Sequence, residues 1–145
     1  MVSDRGGVAT TPASKLGLAP QWIVQEFGYD DDVDFPLREA IAELTGTELV
    51  DEDFDDVCDA VIAWWRADDG DTTDLTELMV DTLTVLDDSG LVWLFTPKAG
   101  RQGHVRQDVI TEAAQTAGLH ATTSFAIAPD WTATKLATAR SRAGR

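Results

Sequence analysis

Asp30, Asp31, Asp32 and Asp34 fall within five residues, Asp51, Glu52, Asp53, Asp55 and Asp56 within six, and Asp68, Asp69 and Asp71 within four. Carboxylates at this density are the oxygen donors that hard cations such as Mg²⁺ and Ca²⁺ take. Asp30, Asp32, Asp68 and Asp71 are therefore the candidate metal ligands. The twelve-residue calcium loop is absent: counted from Asp30, Phe35 and Ile41 stand where Gly and Glu are needed, and counted from Asp51, Asp56 and Ile62 do. The competing reading is that these acids are solvated loop charges, favourable to the N-termini of the helices that follow. A second set is basic. Lys98, Arg101 and His104 lie in the loop Thr96-Pro97-Lys98-Ala99-Gly100-Arg101-Gln102-Gly103-His104. Such a loop can hold a phosphate or carboxylate, or it can neutralise the acidic clumps. It lacks the Gly-x₄-Gly-Lys-Ser/Thr spacing of a P-loop. The two histidines and one cysteine have no spacing of a Ser-His-Asp or Cys-His catalytic set. A single Cys58 excludes an intrachain disulfide and a Cys-based zinc site, and its apolar neighbours predict a buried, inert thiol.

The charge is strongly partitioned. Residues 21–97 carry 22 Asp/Glu against Arg38 and Arg66, whereas residues 98–145 carry 7 Lys/Arg against 3 Asp/Glu, within a chain of net charge −15. Arg66 sits among acids and is expected to pair with Asp68, Asp69 or another clump. Such a charge repels nucleic acid and anionic membranes and favours a basic protein region or a cation. With 43% hydrophobic residues and five Trp in 145 residues, the chain can bury the core of one domain. No apolar run approaches the ~20 residues of a membrane span. The small, polar N-terminal stretch lacks a signal-peptide core, so a cytoplasmic location is expected.

The elements that must position these residues follow from periodicity. Gln21–Phe27 reads as a strand ending at Gly28. Asp34 is placed to cap a helix with Pro36 in its first turn, Leu37, Ile41 and Leu44 on one face, and Gly46 as its stop. Thr47–Val50 reads as a short second strand, and Cys58–Trp65 as a buried strand with Trp64 and Trp65 on opposite faces. An amphipathic helix runs from Asp74 to about Ser89-Gly90, followed by the buried strand Leu91–Phe95. Val109 to Ala117 forms a further helix closed by Gly118, and residues 119–127 and 131–137 form a terminal antiparallel hairpin. The pattern predicts a compact, Rossmann-like α/β domain over residues 16–138, with a mostly parallel sheet, helices on both faces and a C-terminal antiparallel hairpin. Residues 1–15 are expected to be a disordered tail, and residues 139–145, with Arg140, Arg142 and Arg145, a basic one.

From about residue 19 to residue 138 this pattern resembles the class I S-adenosylmethionine-dependent methyltransferases in compressed form. Glu26-Phe27-Gly28 stands where that family begins its glycine-rich loop, and Asp51 or Glu52 where it holds a ribose hydroxyl. Residues 56–65 resemble its Asp-x-Val strand, and Leu86-Asp87-Asp88-Ser89-Gly90-Leu91 the approach to its fifth strand. Only one of the usual glycines is present, and Gly28 is followed by Tyr29-Asp30-Asp31-Asp32. Val24-Gln25-Glu26-Phe27, Thr45-Gly46-Thr47-Glu48-Leu49-Val50-Asp51-Glu52-Asp53 and Trp93-Leu94-x-Thr96-Pro97-Lys98-x-Gly100-Arg101-x-Gly103 are also similar to a small acidic actinobacterial family catalogued as a domain of unknown function.

The expectation is a non-catalytic binding or regulatory protein with a degenerate methyltransferase-like fold and no required cofactor. Its acids, Asp30, Asp31, Asp32, Asp53 and Asp55, would meet a basic region of a partner protein. The alternative is a sensor or enzyme holding S-adenosylmethionine, or a nucleotide with a divalent cation, at the strand C-terminal edge. Gly28, Asp51, Arg66, Lys98 and Arg101 would then line the ligand site. A third reading is a DNA mimic, and a homo-oligomer is compatible with each.

Overall fold

A computed structural model describes residues 12–138. The elements in chain order are β1 (Val24–Phe27), α1 (Phe35–Thr45), β2 (Cys58–Trp64), α2 (Thr72–Val85), β3 (Leu86–Pro97), α3 (Gln107–Ala117), β4 (Leu119–Ala126) and β5 (Trp131–Thr138). Short 3-10 turns occupy Pro12–Leu16 and Ala67–Asp69. One five-stranded sheet has the order β1-β2-β3-β5-β4.

β2 sits next to the sheet edge and is buried on both faces, which is why its sequence is apolar without alternation. Ala60, Ile62 and Trp64 enter one core with Trp93, Phe95, Trp131 and Ala133, closed by Leu37 and Ile41 of α1 and by Ala13 and Leu16 of the first 3-10 turn. Val61 and Ala63 enter the other with Val92, Leu94 and Leu136, closed by Leu75 and Met79 of α2 and Ile110, Ala113 and Ala114 of α3. Helices thus cover both faces. Trp64 and Trp65 do separate, Trp64 into the first core and Trp65 against the second.

Helix caps follow from local chemistry. The Asp34 carboxylate accepts from the Leu37 amide at 2.9 Å, and Gly46 closes α1 at a φ of +77°. Asp71 caps α2 in a reciprocal box with Asp74.

The sheet is mixed, where the sequence predicts a mostly parallel one. β1–β2 and β2–β3 are parallel, but β3–β5 and β4–β5 are antiparallel. The closing hairpin supplies two of the five strands and docks on β3 through its second strand. The predicted strand Thr47–Val50 forms only one parallel bridge, Gln25 to Val50, because the chain turns away into the acidic residues that follow. β1 begins at Val24 rather than Gln21. α2 starts at Thr72 and ends at Val85; the chain passes directly into β3, whose polar start at Leu86–Gly90 is extended instead of a helix end. Of the tail expected through residue 15, Pro12 to Lys15 belong to the 3-10 turn, and Ala13 there is buried. Residues 1–11 and 139–145, with the rest of both expected tails, lie outside the described residues. Among the described residues no helix is long and apolar enough to cross a membrane.

Candidate functional site

β1 and β2 are parallel neighbours, so the segments that leave their carboxyl ends emerge side by side. At the end of β1, Gly28 has a φ of +77°, and a Cβ there would overlap the Trp64 carbonyl oxygen. Only glycine combines that backbone with that approach. The close approach brings the Gly28 carbonyl within 2.9 Å of Arg66 Nη1.

Arg66 is 8% exposed and fully engaged. Its Nε donates to Asp32 Oδ2 at 2.9 Å and its Nη2 to Asp32 Oδ1. Nη1 also reaches Asp69 Oδ2 at 3.2 Å, and the Arg66 amide donates to that same oxygen at 2.9 Å. The guanidinium lies 5.4 Å from the centre of the Trp131 ring. Burial opposes its charge, but the hydrogen bonds to Asp32 and Asp69 outweigh burial and raise its pKa. In return, Arg66 holds the Asp32 carboxyl below its ordinary value. The remaining polar group of Gly28, its amide, donates to Glu52 Oε2 at 2.8 Å.

A second ion pair lies beside the first, built on a buried carboxylate. Glu26, within β1 and 5% exposed, accepts from Arg38 Nε at 2.7 Å, Arg38 Nη2 at 2.8 Å and Trp64 Nε1 at 2.9 Å. The hydrogen bonds to Glu26 raise the pKa of Arg38. Arg38 lies over the rings of Tyr29 at 4.9 Å and Phe35 at 6.0 Å, and the two rings meet edge to face at 6.1 Å. Tyr29 and Phe35 are 51% and 44% exposed. An open groove of about 480 Å³ is lined by Glu26, Tyr29, Arg38, Asp51, Glu52 and Asp53. Its acidic wall is fixed by Gln25, whose side-chain amide donates to the Asp51 and Phe54 carbonyls at 3.0 and 3.1 Å.

The predicted ligand set divides. Gly28 and Arg66 touch, and Asp51 lies on the adjoining groove. Arg101 pairs instead with exposed Asp130 at 3.0 Å, and Lys98 lines a separate cavity. Arg66 pairs with Asp69, as expected, and with Asp32 of the first clump, so that neutralisation which the loop of Lys98 and Arg101 could have supplied is performed by Arg66. The predicted metal set is not assembled as a chelate: Asp32 is bound to Arg66, Asp71 caps α2, and Asp30 accepts from the Asp31 amide. Among the described residues no group of three or more His, Cys, Asp or Glu is placed to hold a metal ion. Asp30, Asp31, Asp53 and Asp55 of the predicted partner set are exposed; Asp32, though half-exposed, belongs to the fold. His104 Nδ1 lies 3.0 Å from the Pro97 carbonyl, and His120 is exposed on β4.

Sequence reasoning missed the Glu26–Arg38–Trp64 cluster. Its signal was present: an acid inside a strand otherwise without charge needs a cation once it is buried, and Arg38 and Arg66 are the two cations of that region.

Comparison with known proteins agrees with this architecture. The methyltransferase from Pyrococcus furiosus superposes with a TM-score of 0.53 at 15% identity, covering 88% of this chain and 83% of that one. Magnesium protoporphyrin IX methyltransferase (ChlM) from Synechocystis PCC 6803, solved with bound SAM, gives 0.56 at 12% identity, covering 94% and 81%. Identities this low show the fold alone. At the sequence level, the uncharacterized proteins Rv2239c of Mycobacterium tuberculosis and Mb2263c of Mycobacterium bovis are each 44% identical over 137 residues, covering 94% of this chain and 84% of theirs. Residues 13–140 match the family described as protein of unknown function (DUF3052), and the chain belongs to that family.

Proposed function

We propose that this chain is a non-catalytic binding protein, which uses a methyltransferase-like frame to present an acidic face with aromatic residues to a basic segment of a partner protein. The observation that carries this reading is the state of Gly28: its carbonyl is taken by Arg66 and its amide by Glu52. In the class I frame that this chain resembles, the loop after the first strand and the acid after the second receive S-adenosylmethionine. Here those groups bind each other and Arg66, and Tyr29-Asp30-Asp31-Asp32 replaces further glycines. These residues do not fit that cofactor.

What remains at this edge suits a protein ligand. Exposed Tyr29 and Phe35 lie on the segment that also carries Asp30 and Asp31, and these acids, with Asp53 and Asp55, are exposed and make no ion pair among the described residues. Aromatic anchors within a charged rim are the usual composition of interface hot spots, and the charge speeds and orients the encounter. The acid-walled groove of about 480 Å³ has room for a lysine or arginine side chain, and its own cation, Arg38, is already paired with Glu26.

The test is peptide selection against the wild-type chain. Lys/Arg-rich sequences are expected, with affinity falling about tenfold or more in an Asp30/Asp31/Asp53/Asp55→Asn variant and again in Tyr29→Ala. Asp32 is left intact because it holds Arg66. Selection without a basic consensus, or affinity unchanged in the four-fold variant, contradicts the proposal.

A further inference from the structure

A second cavity, of about 390 Å³, lies between the first turns of α1, the first 3-10 turn and the β4–β5 turn. Its wall is aliphatic, with Ala13, Leu37, Ala40, Ile127 and Pro129 among the residues that form it. Two charged residues line it, Asp34 and Lys98. Asp34 is committed to the α1 N-cap. Lys98 is anchored through its backbone, its amide donating to the Asp130 carbonyl at 2.9 Å. Its ammonium makes no ion pair with a described residue, whereas Arg101, three positions on, is paired with Asp130. In a chain of net charge −15, a cation without an ion pair among the described residues, beside an apolar cavity, is an unusual arrangement. Cavities of this size, apolar with one or two fixed polar groups, are the common form of small-ligand sites.

We propose that this cavity binds a small monocarboxylate with an apolar body, its carboxylate on Lys98 and its body against Leu37, Ala40 and Ile127. The site is separate from the acidic face and does not depend on the partner proposed for it. Lys98 selects an anion by a charge-assisted hydrogen bond. Asp34 in the same wall, and the negative charge of the whole molecule, select against phosphates and dicarboxylates, whose second charge finds no cation. The aliphatic wall rewards an aromatic or branched body over a short polar acid.

The test is an amide-resolved NMR titration of the full chain with indole-3-acetate and benzoate, each beside its neutral amide. The acids are expected to shift the signals of Leu37, Ala40, Ile127 and Ala128, and to bind about tenfold more tightly than the amides. Lys98→Gln is expected to remove that preference, and Arg101→Gln to preserve it; neither side chain is part of the core. Ala40→Leu, which narrows the cavity, is expected to weaken acid and amide alike. Four results would overturn the proposal: no shift from either acid up to about 10 mM, equal binding of acid and amide, competition by inorganic phosphate as strong as by a carboxylate, or movement of the same signals on dilution of the protein alone, which would place a second copy there.

Discussion

Arg66 is a buried guanidinium whose hydrogen-bond partners all come from the ends of β1 and β2 and the segments that follow them, so its removal tests how the corner is held. Arg66→Met leaves the Gly28 carbonyl without its donor and Asp32 without its cation. Asp32 is 54% exposed on its side chain and can turn to water, which limits the loss to about 2–3 kcal/mol in urea unfolding. Gly28→Ala meets the Trp64 carbonyl at a left-handed φ and is expected to cost about 3 kcal/mol or more, since both backbone and packing must shift. The Asp32 carboxyl lies below its ordinary 3.8, chiefly through the hydrogen bond from Arg66. A carboxyl lowered on folding stabilises above its unfolded pKa and loses that contribution as pH falls through the folded one. The Arg66–Asp32 contribution is therefore complete well above the ordinary 3.8, begins to fall as pH approaches it, and is lost only as pH passes through the lower folded value; an acid titration of Arg66→Met should show a shallower decline than wild type. Cys58 is buried, and burial raises its thiol pKa to about 11, so reaction with a thiol reagent at neutral pH should follow global unfolding.

Among the elements, α1 joins the two sites: Arg38, which lies over the Phe35 ring, lines the acidic groove, while Leu37 and Ala40, with the cap Asp34, line the apolar cavity. Its cap therefore matters to both, and Asp34→Ala should lower stability by about 1 kcal/mol in thermal or urea unfolding. The parts of the fold legible in the sequence were those with local signals. Asp34 and Gly46 bracket α1, the nearly continuous apolar run of β2, interrupted only by Asp59, reports burial on both faces, and Ala128-Pro129-Asp130 marks the hairpin. The parts not legible depend on distant partners. Thr47–Val50 has strand-like residues but only one bridge to β1. Asp87-Asp88-Ser89-Gly90 reads as a helix end, yet it is extended because β3 has already begun at Leu86. The same reason explains the site. Gly28 and Arg66 could be singled out by type, but their contact depends on β1 and β2 being parallel neighbours, and the departure of Arg101 toward Asp130 depends on where the hairpin docks.

For the molecule as a whole, the methyltransferase-like fold is present, and both polar groups of Gly28 at the end of β1 are taken by the chain's own Arg66 and Glu52. Most of the acidic charge stays on the surface, so added salt should raise the melting temperature by screening its self-repulsion. The same salt should weaken basic peptides more than it weakens monocarboxylates at Lys98, because the former contact several charges and the latter one. The central claim is that Arg66 and Glu52 close the Gly28 corner to the cofactor of the resembling family, leaving the chain to bind rather than to transfer methyl groups. Its most direct test is isothermal titration of S-adenosylmethionine and its demethylated product into the purified wild-type chain. The account expects no saturable heat from either and no rise in melting temperature. A one-to-one isotherm with micromolar affinity, accompanied by shifts of the Gly28 and Glu52 amide signals, would contradict it.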